Sequence, residues 1–207
     1  MATKAIDFSA AASDAQLEAL ADKLRAANFE VVIVDDASQA RNEVLQRIPE
    51  GASVLSGKSK TLEDAGIFEE LMQSDKYDFI RKRTSKMDRR TQHDDIRRAW
   101  AAPDVMLSSA HAVTEAGQIV ITSASGSQIG PIASGAGHLI LVIGSQKLVS
   151  DLETAFDRIS QHVFPYEDAR LREQMGVGTK ITRTLILDQD FVPGRTTIVL
   201  VRQPIGV

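Results

Sequence analysis

The sequence contains no cysteine. Disulfides, thiolate nucleophiles, thiolate-ligated zinc and iron–sulfur clusters held on the chain's own sulfurs are excluded with it. The lack of disulfides suits the cytoplasm. Long apolar runs are missing as well: nothing approaches the roughly 18 apolar residues that span a bilayer. The opening stretch, MATKAIDFSAAASD, has no apolar core of a secretory signal. A soluble intracellular protein, cytoplasmic and without a membrane span, is expected. Aromatic residues make up only 5%, with one Trp and two Tyr, so stacking platforms for single-stranded nucleic acid are few. An excess of positive charge is also absent. With 24 Lys and Arg against 28 Asp and Glu, the net charge is −4, which argues against a general nucleic-acid partner.

What is present fits one globular domain of 207 residues, 43% hydrophobic and 25% charged, with 1–13 as a flexible N-terminal segment. Ser13 or Asp14 can cap a helix over 15–27, where Leu17, Leu20, Ala21 and Leu24 recur at helical spacing. Phe29–Val34 is β-branched and short, hence a strand. A helix over 38–47, a turn at Pro49-Glu50-Gly51, a strand at Val54-Leu55 and a helix over 62–72 follow. Thr61 and Asp64 make a plausible capping box for the last. This alternation predicts an α/β fold with a largely parallel sheet flanked by helices. Further strands are expected at 78–80, 105–107, 119–121, 139–143, 185–187 and 197–201. Further helices are expected over 91–101, 150–161 and 166–174, the last two separated at Pro165.

Residues 74–98 are polar, but their basic members interleave with Asp75, Asp78, Asp88, Asp94 and Asp95, so they read as a solvated face. His93 has no second histidine one turn on, and no metal site is expected there or elsewhere. Trp100 is expected to pack its helix against the sheet rather than bind anything. His111 and His138 stand at strand edges and read as structural.

The chain is organised around 104–149, where two apolar runs flank a segment of Gly, Ser and Ala that lets a backbone approach a ligand closely. Loop 56–61 leaves a strand and enters a helix, the place where open α/β sheets bind ligands, and Lys58 and Lys60 favour an anion. It lacks the spacing of a Walker loop. A solvated turn whose Ser and Thr merely cap the helix accounts for the same residues. The Ser123–Gln128 loop has the small residues of a phosphate cradle without G-x-G-x-x-G. Arg183 offers a planar fork for carboxylate or phosphate, or is a surface arginine beside an edge strand. Glu115, in the Thr114-Glu115-Ala116-Gly117 turn, is a general acid, base or nucleophile if buried, and otherwise an exposed turn residue.

Four ordered pieces resemble one family. Ser56–Leu62 resembles a G-x-S-x-T-L element, and His111–Gly117 resembles N-A-x-T-E-x-G. Gly144–Val149 is similar to G-x-x-K-[IL]-V, and Thr182-Arg183-Thr184 to an S-R-T element. The set resembles the lactate-utilisation (LUD) domain family, in particular its small members without iron–sulfur clusters, over roughly residues 14–202. Two positions depart from that pattern: Gln128 stands where an Arg is common, and Leu185-Ile186 replaces a following Asp.

The resemblance implies a fold like that of the sugar-phosphate isomerase and CoA-transferase-like superfamily. It also implies a role in oxidising L-lactate to pyruvate beside iron–sulfur partner proteins. The chain would have no intrinsic cofactor and would bind a small anionic metabolite. The expected binding set is Gly57, Lys58, Ser59, Thr61, Thr114, Gly126, Ser127, Thr182, Arg183 and Thr184. Glu115 is the candidate catalytic group, by analogy with the nucleophilic glutamate of some CoA-transferases. A free-standing isomerase or acyl-CoA-transferase-like enzyme using Glu115 is the alternative, and a metabolite-sensing regulatory module is a third reading.

Overall fold

In the computed structural model, which describes residues 6–207, helix α1 (Asp14–Ala26) starts where Ser13 and Gln16 cap each other reciprocally. It buries Leu17, Leu20, Ala21 and Leu24, its apolar stripe. Strand β1 (Glu30–Val34) follows, then α2 (Ala37–Gln46), capped by Asp36. Strand β2 (Ser53–Ser56) leads through 57–59 into α3 (Lys60–Asp64) and α4 (Ile67–Gln73).

The single helix expected over 62–72 is thus two. Gly66, at φ 68°, sits between them in a left-handed conformation that a right-handed helix does not continue through. Thr61 accordingly lies inside α3 rather than at a capping box. A Cβ at Gly66 would meet only the Arg41 side chain, at 3.6 Å. Gly66→Ala should therefore cost about 1–2 kcal/mol from backbone strain alone. Urea denaturation at unchanged m-value measures this, and an unchanged midpoint would contradict the strain.

After β3 (Asp78–Phe79) the chain turns directly into α5 (Ile80–Thr84), then α6 (His93–Ala101) and β4 (Val105–Ser108). Strands β5 (Ala112–Thr114) and β6 (Ile119–Ser123) form a hairpin. A π-helical turn (Pro131–Gly135), β7 (His138–Gly144), a 3-10 turn (Ser145–Lys147) and β8 (Leu148–Val149) come next. Helices α7 (Leu152–Arg158) and α8 (Phe164–Met175) are joined by a π-helical turn at Ile159–Val163. The break expected at Pro165 is absent. The widened turn just before it accommodates the proline's ring and missing N–H without ending the helix. Strands β9 (Arg183–Leu187) and β10 (Thr196–Val201) complete the chain.

Six strands form one sheet in the order β1-β10-β7-β4-β2-β3, every pair parallel. The run HLILVIG of β7 lies near its middle. Leu139, Leu141 and Ile143 face one core cluster with Leu20 and Leu24 of α1, while Ile140 and Val142 face the other with Val44, Leu62 and Leu71. Continuous apolarity with both faces covered is what a buried parallel strand requires. The second sheet, β8-β5-β6-β9, is mixed. Its Val113, Ile119 and Ile121 join the first core cluster, and Ala112, Val120 and Val149 pack under Ala155 and Ile159. Phe8, from the segment expected to be flexible, is buried in that last cluster; residues 1–5 of the segment lie outside the described residues. No helix among the described residues is long and apolar enough to cross a membrane.

Candidate functional site

Adjacent strands β7, β4 and β2 end at Gly144, Ser108 and Ser56. Because they run parallel, the loops that follow all leave the same sheet edge, where ligands collect in open α/β sheets. They enclose a chamber of about 50 Å³ walled by Lys58, Ser59, Lys60 and Thr61 after β2, Ser109, Ala110 and His111 after β4, and Lys147 after β7. Lys147 is only 3% exposed. Its Nζ donates to Thr61 Oγ1 (2.7 Å), Ser109 Oγ (3.0 Å) and the Ala110 carbonyl (3.1 Å). Burial, with the Arg158 guanidinium adding to it, pushes the Lys147 ammonium down to about 7; Asp64 acts weakly the other way.

Fully buried Arg158 stands behind the chamber. It donates to the His111 carbonyl and, at 3.4 Å, to that of Gln146, and so ties the loops after β4 and β7 together. His111 Nδ1 accepts the Thr122 N–H at 3.0 Å, which leaves the proton of the neutral ring on Nε2. Burial, Lys147 and Arg158 push this imidazole down to about 3, so it stays neutral at physiological pH.

The chamber shares Lys58, His111, Gln128, Val163 and Glu167 with a much larger cleft of about 1030 Å³. This volume is at the top of the range for small-molecule sites, roughly 300–1,000 Å³. Small residues from 122–135 form one wall, and Ile159, Val163, Phe164 and Leu171 from the long C-terminal helix form another. Seven cations reach it: Lys58, Arg81, Arg89, Arg97, Arg170, Lys180 and Arg183. Glu167 is the carboxylate facing them, and it is bound to Arg170 at 2.7 Å. A protein of net charge −4 thus places seven of its 24 Lys and Arg around one concavity, whose low-dielectric walls focus the field.

Three of these arginines come from the segment read as a solvated face. Arg81 donates to the Ser56 carbonyl, and its guanidinium lies 4.8 Å from the centroid of the Trp100 ring. Burial, with Arg89 nearby, lowers it to about 10, so it remains charged. Trp100 packs against the core as expected, with Nε1 on Thr84 Oγ1 at 3.2 Å, but it also lines the cleft.

The expected binding residues divide. Lys58, Gly126, Ser127 and Arg183 line the cleft, and Lys58, Ser59 and Thr61 line the chamber. Gly57 lines neither cavity but backs onto residues that do: a Cβ there would stand 2.7 Å from Gln128 Oε1 and 3.1 Å from Ser108 Oγ. Gly126, at φ 77°, gives its missing Cβ's space to the Arg183 side chain, 2.6 Å from where that atom would be. Thr182 Oγ1 donates to the Ala124 carbonyl at 2.6 Å and pins the small-residue loop without lining the cavity. Thr114 is buried, closing its turn through Gln118, and Thr184 is exposed on β9. Glu115 is exposed on the β5–β6 turn and lines neither cavity.

Lys147, Arg158 and the arginines of 81–97 lie outside the expected set. Lys147 is the lysine of the Gly144–Val149 element that resembles G-x-x-K-[IL]-V, three residues past the end of β7, and that is its signal in the sequence. Among the described residues no cluster of His, Asp and Glu could hold a metal ion.

No curated protein matches the sequence. Among solved structures, a DUF162-family protein from Deinococcus radiodurans is similar in fold, with a TM-score of 0.55 at 11% identity over 95% of this chain and 99% of that one. The family model described as the LUD domain matches residues 17–201. The chain belongs to the LUD-domain family, which is associated with lactate utilisation.

Proposed function

We propose that the chain is a non-iron–sulfur protein of L-lactate utilisation that binds a small anionic metabolite in the cationic cleft and works beside iron–sulfur partners. The observation that carries this reading is the charge of the cleft, seven Lys and Arg against one already paired carboxylate. An anion entering it gains charge-assisted hydrogen bonds, each contributing about 1.5–3 kcal/mol. Lys58 at the chamber mouth and Arg183 over Gly126 hold the anion. Family membership supports lactate or pyruvate as the metabolite, and the absence of cysteine leaves electron transfer to partners. The position of Glu115 on an exposed turn outside both cavities favours this reading over an enzyme that uses it as acid, base or nucleophile.

Two measurements test the proposal. Trp100 is the only tryptophan, and it lines the cleft, so its fluorescence reports occupancy directly. Titration with L-lactate and pyruvate should change that emission and raise the melting temperature. Stabilisation follows RT ln(1 + [L]/Kd), about 2.7 kcal/mol at a hundredfold excess over Kd. Lys58→Ala and Arg183→Ala should each weaken binding about tenfold or more. A response only to sugar phosphates or CoA esters would favour the isomerase or transferase alternative. Undiminished growth on L-lactate in a deletion strain would remove the lactate assignment.

A further inference from the structure

Anion binding in the cleft gives Lys147 no task. A buried ammonium is ordinarily held by a carboxylate. Here the three acceptors on Nζ are two hydroxyls and a backbone carbonyl. The charged and titratable groups around it are Arg158 from α7, His111 after β4, and Asp64 of α3, whose carboxylate is taken by Lys60 and the Gly206 N–H, with Lys58, Lys60 and Glu167 of α8 also lining the chamber. The adjoining space of about 50 Å³ opens towards the cleft past Lys58, Gln128 and Glu167, with Val207 along its wall. One water needs about 10–15 Å³, so the chamber takes the head of a short acid and not a sugar or a nucleotide.

We propose that Lys147 is a nucleophilic amine that condenses reversibly with the keto group of a short 2-oxo acid, pyruvate being the simplest. The inference rests on the anion reading only for how the acid's carboxylate is drawn in, and that carboxylate supplies the negative charge missing among the atoms bonded to Lys147 Nζ. The amine lone pair attacks the keto carbon, forming the C–N bond as the carbonyl π pair moves to oxygen. One proton passes from nitrogen to that oxygen through the hydroxyl of Thr61 or Ser109, each of which can accept and donate, giving a carbinolamine. The nitrogen lone pair then expels the C–O oxygen, which takes the second N–H proton by the same hydroxyls and leaves as water, so that an imine remains with no net oxidation or reduction. Desolvation beside a second cation frees the amine for this chemistry near neutral pH. An exposed lysine would still be protonated there.

The test incubates the full chain with pyruvate and cyanoborohydride, which reduces an imine to a stable secondary amine, and maps the modified peptides by mass spectrometry. The expected result is an adduct at Lys147, heavier by one pyruvic acid less one oxygen atom. Its initial rate should rise as pH passes through about 7, and L-lactate, which has no keto group, should give none. Lys147→Arg, which keeps a buried cation but has no nucleophilic amine, should lose the adduct. If that variant does not fold, the site and pH profile in the unaltered protein decide alone. An unmodified Lys147 in the presence of pyruvate, or adducts spread over exposed lysines with rates climbing only at alkaline pH, would overturn the proposal. Stabilisation by pyruvate without an adduct removes the amine chemistry and leaves the anion reading. An adduct at Lys147 without a lactate growth phenotype does the reverse.

Discussion

Between about pH 7 and pH 10.5 the folded protein should gain stability from Lys147 as the solution becomes more alkaline, by about 1.4 kcal/mol per pH unit. The sign follows from proton counts. In the unfolded chain this amine keeps its proton up to its ordinary value of 10.5, whereas in the fold burial and Arg158 release it at about 7. Within that window the unfolded state binds the extra proton, so raising pH favours the native state. Below about 7 both states are protonated and the contribution is flat, with the full cost of burying the charge in place. Urea unfolding at a series of pH values gives the slope, and Lys147→Met isolates it by removing the titrating group. The variant's absolute stability also reflects the bonds lost by Thr61, Ser109 and Ala110, so the difference in slope is the quantity to read. Parallel curves for the two proteins would mean that Lys147 keeps an ordinary proton affinity, and the case for its nucleophilicity would weaken with it.

The sheet was legible because its signals are local. HLILVIG can hardly be anything but a strand covered on both faces, and the stripe of α1 faces the core as its spacing requires. The break at Gly66 was not legible, since Ile67 and Leu71 keep the apolar pattern running across it. Loop 56–61 could be found from its position between a strand and a helix, and it does border the chamber.

The cations of 81–97 were hidden for a different reason. In sequence their charge is cancelled by neighbouring aspartates. In space Asp75 is taken by Lys82, Asp78 by Arg83 and Asp95 by Arg98, and of these aspartates only Asp94 pairs with a cleft cation, Arg97, at 3.4 Å, while Arg81 turns inward between Ser56 and Trp100. Charge balance along a chain is therefore a poor guide to charge balance in a cavity. Glu115 shows the converse. Its residue type suits acid–base chemistry, but a two-strand turn carries it into solvent, and residue type alone does not reveal that.

Phe79→Ala should destabilise the fold by about 3–5 kcal/mol, a large share of the roughly 5–15 kcal/mol that holds a domain together. The ring is 1% exposed and meets Phe68 edge-on, with centroids 5.7 Å apart and planes at 79°. It packs among the residues that cover one face of the parallel sheet. Truncation removes the buried surface and leaves a cavity between β3 and α4, so Phe79→Leu, which fills much of it, should lose distinctly less. The consequence reaches the cleft because Phe79 immediately precedes α5, and the second residue of that helix is Arg81. Loosening this anchor frees the guanidinium that caps Trp100. In the fraction of Phe79→Ala that remains folded, the emission of the single tryptophan should shift and its response to anions should weaken. A loss of stability with unchanged emission and unchanged anion response would show instead that Arg81 is held from the Ser56 side, through the carbonyl at the end of β2, and that the sheet edge positions the cleft's charge without help from β3.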